Sequence, residues 1–177
     1  KEVTDVETWH EDVRFFHVKD RQGQLRGMFY ADLYARPDKR GGAWMDECVN
    51  RRRVAEHVQV PVAFLTCNFP PPIGEKVSLL THEEVVTLFH EFGHGLHHML
   101  TLIDRSAVSG INGVAWDAVE LPSQFTENWC WEYEGLALIG GHHETGARLP
   151  RELFEKMLAA KNFHTALQML RQLEFAL

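Results

Sequence analysis

The chain has 177 residues, which is enough to form one domain with a buried core. Its net charge of −7, without a basic stripe, argues against nucleic-acid binding as the main role. Its apolar runs are far shorter than the roughly 20 residues of a membrane-spanning helix, so no membrane partner is expected. The three cysteines, Cys48, Cys67 and Cys130, form no CxxC pair. They predict reduced thiols and a cytoplasmic protein, with a nucleophilic cysteine as the minor alternative.

Residues 1–75 are predicted to be rich in β-strands. Residues 13–19 and 25–35 contain many β-branched and aromatic side chains, and a glycine-containing turn separates them, so a β-hairpin is expected. Residues 62–68 have the composition of a third strand, which the prolines at 70–72 end. An edge strand at 62–68 could pair with the backbone of a bound peptide.

Residues 76–177 are predicted to be mainly helical. Thr81 and Glu84 are spaced as a capping box, so a helix should begin near residue 82. Helices are expected over about 82–101, 118–138 and 150–177. Pro122 falls early in the second of these, where it either opens the helix or bends it just after Glu120.

The first of these helices carries an H-E-x-x-H motif, formed by His90, Glu91 and His94. Residues four apart lie on one face of a helix, so the two imidazoles can bind one zinc ion. Glu91 is rotated by about 100° from His90, which keeps it off the metal but within reach of a water bound there. Zinc lowers the pKa of such a water towards about 7, and the carboxylate can take its proton. The motif also occurs by chance on solvated helices, so its flanking residues matter.

The flanking residues favour the metal site. Six apolar side chains form one stripe that can bury the helix, namely Val85, Leu88, Phe89, Phe92, Leu96 and Met99. His90 and His94 lie on the opposite side, as ligands facing a cleft should. Gly93 and Gly95 each cost about 1 kcal/mol in a helix relative to Ala. That cost is expected where another backbone approaches the helix closely.

A third protein ligand has to come from a later element. His97 and His98 lie too far along the helix to share one ion with His90, and they are expected to pack or to support the ligands. Four glutamates are candidates by position, namely Glu120, Glu127, Glu132 and Glu134. Glu120 and Glu127 share a face at helical spacing, so this geometry favours either of them without choosing between the two.

Several segments resemble the thimet oligopeptidase family of zinc metallopeptidases. They are residues 33–45, 61–68, 89–100, 117–124, 127–129 and 156–162. The resemblance implies that the Glu of Asp117-Ala-Val-Glu-Leu-Pro-Ser-Gln124, which is Glu120, is the third zinc ligand. It also implies one zinc ion per chain and cleavage of short peptides inside a deep channel.

The same resemblance implies that residues 1–177 are a fragment of one catalytic domain. Family members are several times longer, and the Tyr and His side chains that stabilise the tetrahedral intermediate follow this segment in them. The remainder of the parent polypeptide would then be needed to complete the active site. If the donors lay within the segment instead, Tyr30, Tyr34 and Tyr133 would be the first candidates.

The expected fold class is therefore α+β, with a small antiparallel sheet of about three strands packed on a mainly helical bundle. This would be part of a zincin-like catalytic core. The expected function is zinc-dependent endopeptidase cleavage of oligopeptides, with His90, His94 and Glu120 as ligands and Glu91 as general base. Two alternatives are another metallohydrolase, such as an aminopeptidase, and a truncated chain that binds metal or peptide without turnover.

Overall fold

The computed structural model describes residues 1–177, which divide into two compact units, 1–128 and 129–177. All the strands lie within residues 1–75, and all the α-helices lie within residues 76–177. The assignment of both parts to a single catalytic domain stays a prediction. None of the helices combines the length and the apolar character that a membrane crossing requires.

Seven strands form one large and one small sheet. They are β1 (Glu2–Val3), β2 (Arg14–Lys19), β3 (Leu25–Tyr34), β4 (Trp44–Val49), β5 (Arg52–Val54), β6 (His57–Gln59) and β7 (Val62–Phe69). The large sheet has the order β1-β2-β3-β7-β4, and β5 pairs only with β6. The predicted hairpin is confirmed, since β2 and β3 are antiparallel. In its turn the Asp20 carboxylate accepts hydrogen bonds from the backbone N–H of Gln22 and of Gln24, and Gly23 adopts a φ of 82°.

The α+β class is confirmed, but two details of the predicted sheet are wrong. The large sheet has five strands rather than about three, and β3 pairs with β7 in parallel, so the sheet is mixed. The pattern missed β4 because Asp46 and Glu47 interrupt it, and acidic residues are uncommon in strands. A half-exposed edge strand tolerates them.

The prediction that residues 62–68 form an edge strand is also wrong. Strand β7 lies between β3 and β4 and pairs with both. Most of its side chains are buried on both faces, which is typical of an internal strand with a continuous apolar run. The edge strand on this side of the sheet is β4, which lies next to β7.

The five α-helices are α1 (His82–Met99), α2 (Leu121–Glu127), α3 (Tyr133–Ile139), α4 (Arg151–Lys161) and α5 (Thr165–Ala176). The predicted capping box opens α1, since the Thr81 hydroxyl accepts from the Glu84 N–H and the Glu84 carboxylate accepts from the Thr81 N–H. The helices predicted over 118–138 and 150–177 are each interrupted and form two shorter helices. Glu132 has extended backbone between α2 and α3, and His164 has a φ of 59° between α4 and α5.

Helix α1 packs across one face of the large sheet. The ring of Phe92 meets that of Phe29 at 5.6 Å, and Leu65 lies against Gly95. Leu65 and Met99 are among the fully buried side chains of the core. This contact holds α1 on the sheet and leaves its other side free to carry the polar motif.

The opposite face of the sheet contains a buried charged cluster around Asp32, whose exposed fraction is 4%. Its carboxylate accepts hydrogen bonds from Arg36 at 2.6 and 2.8 Å, from Lys39 at 2.8 Å and from the Trp9 indole at 3.0 Å. Burial alone would raise the pKa of Asp32, but these three donors together hold that pKa below its ordinary range.

The small hairpin of β5 and β6 occupies the region around residues 51–58. Arg51 and Arg53 each donate to the carboxylate of Asp104, at 2.7 and 2.6 Å. The basic run at 51–53 thus joins the hairpin to the segment that follows α1.

Candidate metal centre

Helix α1 and the residue before α2 bring three potential ligands together. The Nε2 atoms of His90 and His94 lie 3.2 and 3.1 Å from the same carboxylate oxygen of Glu120. One ligand atom from each of the three residues lies within 4.8 Å of the ligand atoms of the other two. The arrangement follows from the i, i+4 spacing on α1, which places the two imidazoles on one face with their rings edge to face, 5.0 Å apart.

Glu120 is held in place by its own helix start. It is the N-cap of α2, and Pro122 lies in the first turn, so the proline opens the helix. The Ser123 hydroxyl lies 2.8 Å from the Glu120 carboxylate and 2.9 Å from its carbonyl oxygen. The hydrogen bond from Ser123 lowers the pKa of Glu120, and the nearby His94 and His90 act in the same direction. The carboxylate is therefore kept ionised, as a metal ligand must be.

The two helices approach each other at Gly93. A Cβ atom there would lie 2.5 Å from the Thr126 hydroxyl oxygen, 2.6 Å from the Pro122 carbonyl oxygen and 2.6 Å from the Ser123 Cα. The Thr126 hydroxyl also donates to the Phe89 carbonyl oxygen at 2.7 Å. The glycine in the motif thus allows the backbone of α2 to pack directly on α1.

Gly93→Ala is expected to destabilise the protein by about 1–3 kcal/mol and to weaken metal binding, because the methyl group meets backbone that cannot move aside. Gly95→Ala is the matched control. A Cβ at position 95 would lie 3.1 Å from a methyl group at the flexible end of the Leu65 side chain. The change to alanine also raises the helix propensity of this position by about 1 kcal/mol. Urea unfolding and zinc titration of both variants test this. Equal effects at the two positions would contradict the close approach at Gly93.

Glu91 interacts electrostatically with His90 and Glu120 but is not a member of the ligand group. Its exposed fraction is 7%. Burial raises its pKa, and the Glu120 carboxylate adds to this, while His90 and the backbone of Met45 oppose it. A buried carboxylate with a raised pKa is a stronger base than an exposed one, so this residue can exchange protons with a reacting group.

The other candidates have different places. Glu127 lies 2.7 Å from Nδ1 of His90, the ring nitrogen that faces away from Glu120. Glu132 and Glu134 are exposed and belong to the second compact unit. His98 is fully buried, as expected of a packing residue, and its Nε2 lies 3.0 Å from the Val49 carbonyl oxygen at the end of β4.

Sequence reasoning did not identify Ser123 and Thr126 as part of the site. Both are small hydroxyl residues on the turns that follow a candidate ligand, and this position next to Glu120 is the signal that could have found them.

The model of the family described as "Peptidase family M3" matches residues 1–177. The chain belongs to peptidase family M3. Its relatives include Oligopeptidase A of Escherichia coli (strain K12), which is 66% identical over 100% of this chain and 26% of the relative. Organellar oligopeptidase A of Arabidopsis thaliana is 54% identical over 95% of this chain and 22% of the relative. Thimet-like oligopeptidase of Dictyostelium discoideum is 41% identical over 99% of this chain and 27% of the relative.

These matches confirm the family resemblance seen in the sequence segments. The M3 chain spans about a quarter of the length of the curated relatives it matches, 26% in the case of the E. coli protein.

The cysteines of this M3 chain do not have the properties of nucleophiles. Cys67 has no exposed surface, and burial raises the pKa of its thiol to about 12. Cys130 is equally buried. Cys48 is exposed, but its thiol is partly shielded from water, which raises its pKa. Protonated thiols are poor nucleophiles.

Proposed function

We propose that this chain is the zinc-binding core of a metalloendopeptidase that hydrolyses short oligopeptides. The observation that carries the proposal is the convergence of His90, His94 and Glu120 next to the buried carboxylate of Glu91. The substrate class is supported by the names of several relatives, which are oligopeptidases.

The donor set suits zinc. Two imidazoles and one carboxylate are a common ligand set for catalytic zinc, with bonds of about 2.0–2.2 Å. Ligand atoms around a tetrahedral ion at such distances lie about 3.3 Å apart. The distances from the two Nε2 atoms to the Glu120 carboxylate oxygen, 3.2 and 3.1 Å, are close to this spacing. When bound, zinc acts as a Lewis acid that lowers the pKa of water and polarises a peptide carbonyl group.

Glu91 carries the proton transfers in this proposal. Its carboxylate accepts a proton from the attacking water and later delivers it to the nitrogen of the leaving amine. The buried position of Glu91 keeps bulk water from competing for these protons. The preceding residue, His90, is one of the three ligands, so metal binding and proton transfer are assigned to adjacent residues.

The ligand assignment is tested by Glu120→Gln. We expect the wild-type chain to bind about one zinc ion and Glu120→Gln to lose most of that affinity, because a neutral amide is a poor zinc ligand. Glu83→Gln is the matched control, since Glu83 is exposed in the first turn of α1 and outside the ligand group. Zinc content after dialysis measures the effect. Retention of stoichiometric zinc by Glu120→Gln would remove Glu120 from the ligand set.

An aminopeptidase with the same ligands is the alternative enzyme. An internally quenched peptide of about ten residues with an acetylated N-terminus separates the two activities, because an aminopeptidase needs the free amine. Cleavage of the blocked peptide favours the endopeptidase, and cleavage of only the free peptide favours the alternative.

A chain that binds zinc without turnover is the other alternative. We propose that groups stabilising the oxyanion come from parts of an M3 polypeptide other than residues 1–177, and the 26% coverage of the E. coli relative supports this. Loss of one such donor costs about 100- to 1,000-fold in rate. Zinc-loaded residues 1–177 should then be at least about a hundredfold slower in kcat/KM than a full-length M3 enzyme that contains them. Equal rates would place the donors within this chain.

We also propose a cytoplasmic location. One relative is named a probable cytosolic oligopeptidase A, whereas another is named as organellar, so cell fractionation of the source organism is the relevant measurement. Recovery of the protein in a membrane or organelle fraction would contradict the proposal.

A further inference from the structure

His90 is held between two carboxylates from one short helix. Its Nε2 faces Glu120 at 3.2 Å, and its Nδ1 lies 2.7 Å from Glu127. Glu120 precedes α2 and Glu127 is its last residue, so the two carboxylates come from the opposite ends of this helix. Only one of them, Glu120, belongs to the ligand group.

We propose that Glu127 is a positioning residue that fixes the tautomer of His90, an inference that rests on the proposed zinc site. A neutral imidazole carries one proton, on either Nδ1 or Nε2. The Glu127 carboxylate can only accept, so a hydrogen bond at 2.7 Å requires the proton on Nδ1. The lone pair of Nε2 then points towards Glu120 and His94, where a metal ligand needs it.

The neighbouring backbone places Glu127 in register with His90. Thr126, the residue before Glu127, donates to the carbonyl of Phe89, the residue before His90, at 2.7 Å. This hydrogen bond between the two helices fixes how α2 lies along α1. The close approach at Gly93 fixes how near the two helices lie. These two contacts between α2 and α1 bring Glu127 to the His90 ring.

Partial burial makes the contact more than a surface ion pair. The side chains of His90 and Glu127 are 26% and 31% exposed. A carboxylate on the distal nitrogen of a metal-binding histidine holds the ring orientation and raises the basicity of the ligand nitrogen. Loss of such a partner commonly weakens metal affinity about 10- to 100-fold, which is less than the loss of a ligand.

The experiment compares Glu127→Ala, Glu127→Met and Glu127→Gln with the wild-type chain. Zinc affinity is measured by competition with a chromophoric chelator. We expect about 10- to 100-fold weaker binding in Glu127→Ala and Glu127→Met, and a smaller loss in Glu127→Gln, which keeps an acceptor oxygen. Glu83→Gln, at an exposed position of α1, should bind zinc like the wild type. Unchanged affinity in both Glu127→Ala and Glu127→Met would overturn the proposal.

A second readout does not depend on the metal. Nitrogen NMR of the His90 ring in the zinc-free protein, recorded at alkaline pH, reports which nitrogen carries the proton. We expect the Nδ1–H tautomer in the wild type and Glu127→Gln, and a substantial Nε2–H population in Glu127→Met. The Nδ1–H tautomer in all of them would overturn the proposal.

The two readouts also separate this inference from the proposed function. If Glu120→Gln leaves zinc binding unchanged, the ligand assignment fails, while the tautomer measurement still tests Glu127. Thermal unfolding of the zinc-free variants shows whether a weaker affinity comes from lost structure. Glu127→Met, whose side chain has similar length, serves if Glu127→Ala does not fold.

Discussion

Replacing Glu91 by Gln should lower kcat by about 100- to 10,000-fold in a full-length M3 enzyme that carries this segment. Glutamine has the shape of glutamate but cannot take a proton from water or return one to the leaving amine. Zinc content and KM should change little, because Glu91 is not among the three ligand atoms. Steady-state cleavage of a quenched peptide, with zinc content measured on the same sample, gives both quantities.

Glu83→Gln is the control for this experiment. Glu83 lies in the first turn of the same helix and is exposed, so its loss should leave turnover near the wild-type value. A zinc-loaded Glu91→Gln enzyme with normal kcat would remove the general-base role. A Glu91→Gln enzyme that lost its zinc would instead show that the residue helps to hold the metal.

Asp32→Asn should reduce the free energy of unfolding by about 3–5 kcal/mol, since it removes one partner from a buried ion pair. The side chain of Lys39 is only 6% exposed, and its ammonium group also donates to the Tyr34 and Cys67 carbonyl oxygens. These carbonyls cannot neutralise its charge. Urea unfolding at neutral pH measures the loss.

Two comparisons sharpen the Asp32 result. Glu2→Gln removes an equivalent pair with Arg14 at the exposed end of the sheet, and it should have a much smaller effect. Adding Lys39→Met to Asp32→Asn should restore part of the stability, because the uncompensated buried charge is gone. No recovery in the double variant would mean that the charge on Lys39 is not the cause.

The contribution of Asp32 should also depend on pH. Its folded-state pKa lies below the unfolded value of about 3.9, so the stabilisation is fully present above that value. It is lost as the pH falls through the folded-state pKa. The stability difference between wild type and Asp32→Asn should therefore be constant around neutral pH and shrink in acid.

Local patterns predicted the elements whose signals are local. The capping box at Thr81 and the apolar stripe gave α1 within two residues at its end, since both depend on neighbours along one helix. Strand β4 was missed because its stability comes from pairing with β7, which lies about 20 residues later in the chain. Acidic residues in such a segment look like a loop until the partner strand is known.

The choice between Glu120 and Glu127 shows a similar limit. Helical spacing treats the two as equivalent, but Glu120 is the N-cap and lies outside the helix that this spacing assumes. Ser123 and the close contact at Gly93 orient α2 so that one carboxylate faces Nε2 and the other faces Nδ1 of His90. That distinction depends on how two helices pack, which a single helix pattern does not contain.

The central position of β7 determines when this sheet can be completed during synthesis. A nascent chain that has emerged only to residue 61 contains the β2–β3 hairpin and β4, but it lacks the strand that joins them. The inner edge of β3 then remains open until Val62–Phe69 leaves the ribosome, and an unpaired edge can associate with other chains. Helix α1 follows β7 in the chain, so closing the sheet and covering its apolar face become successive events during translation.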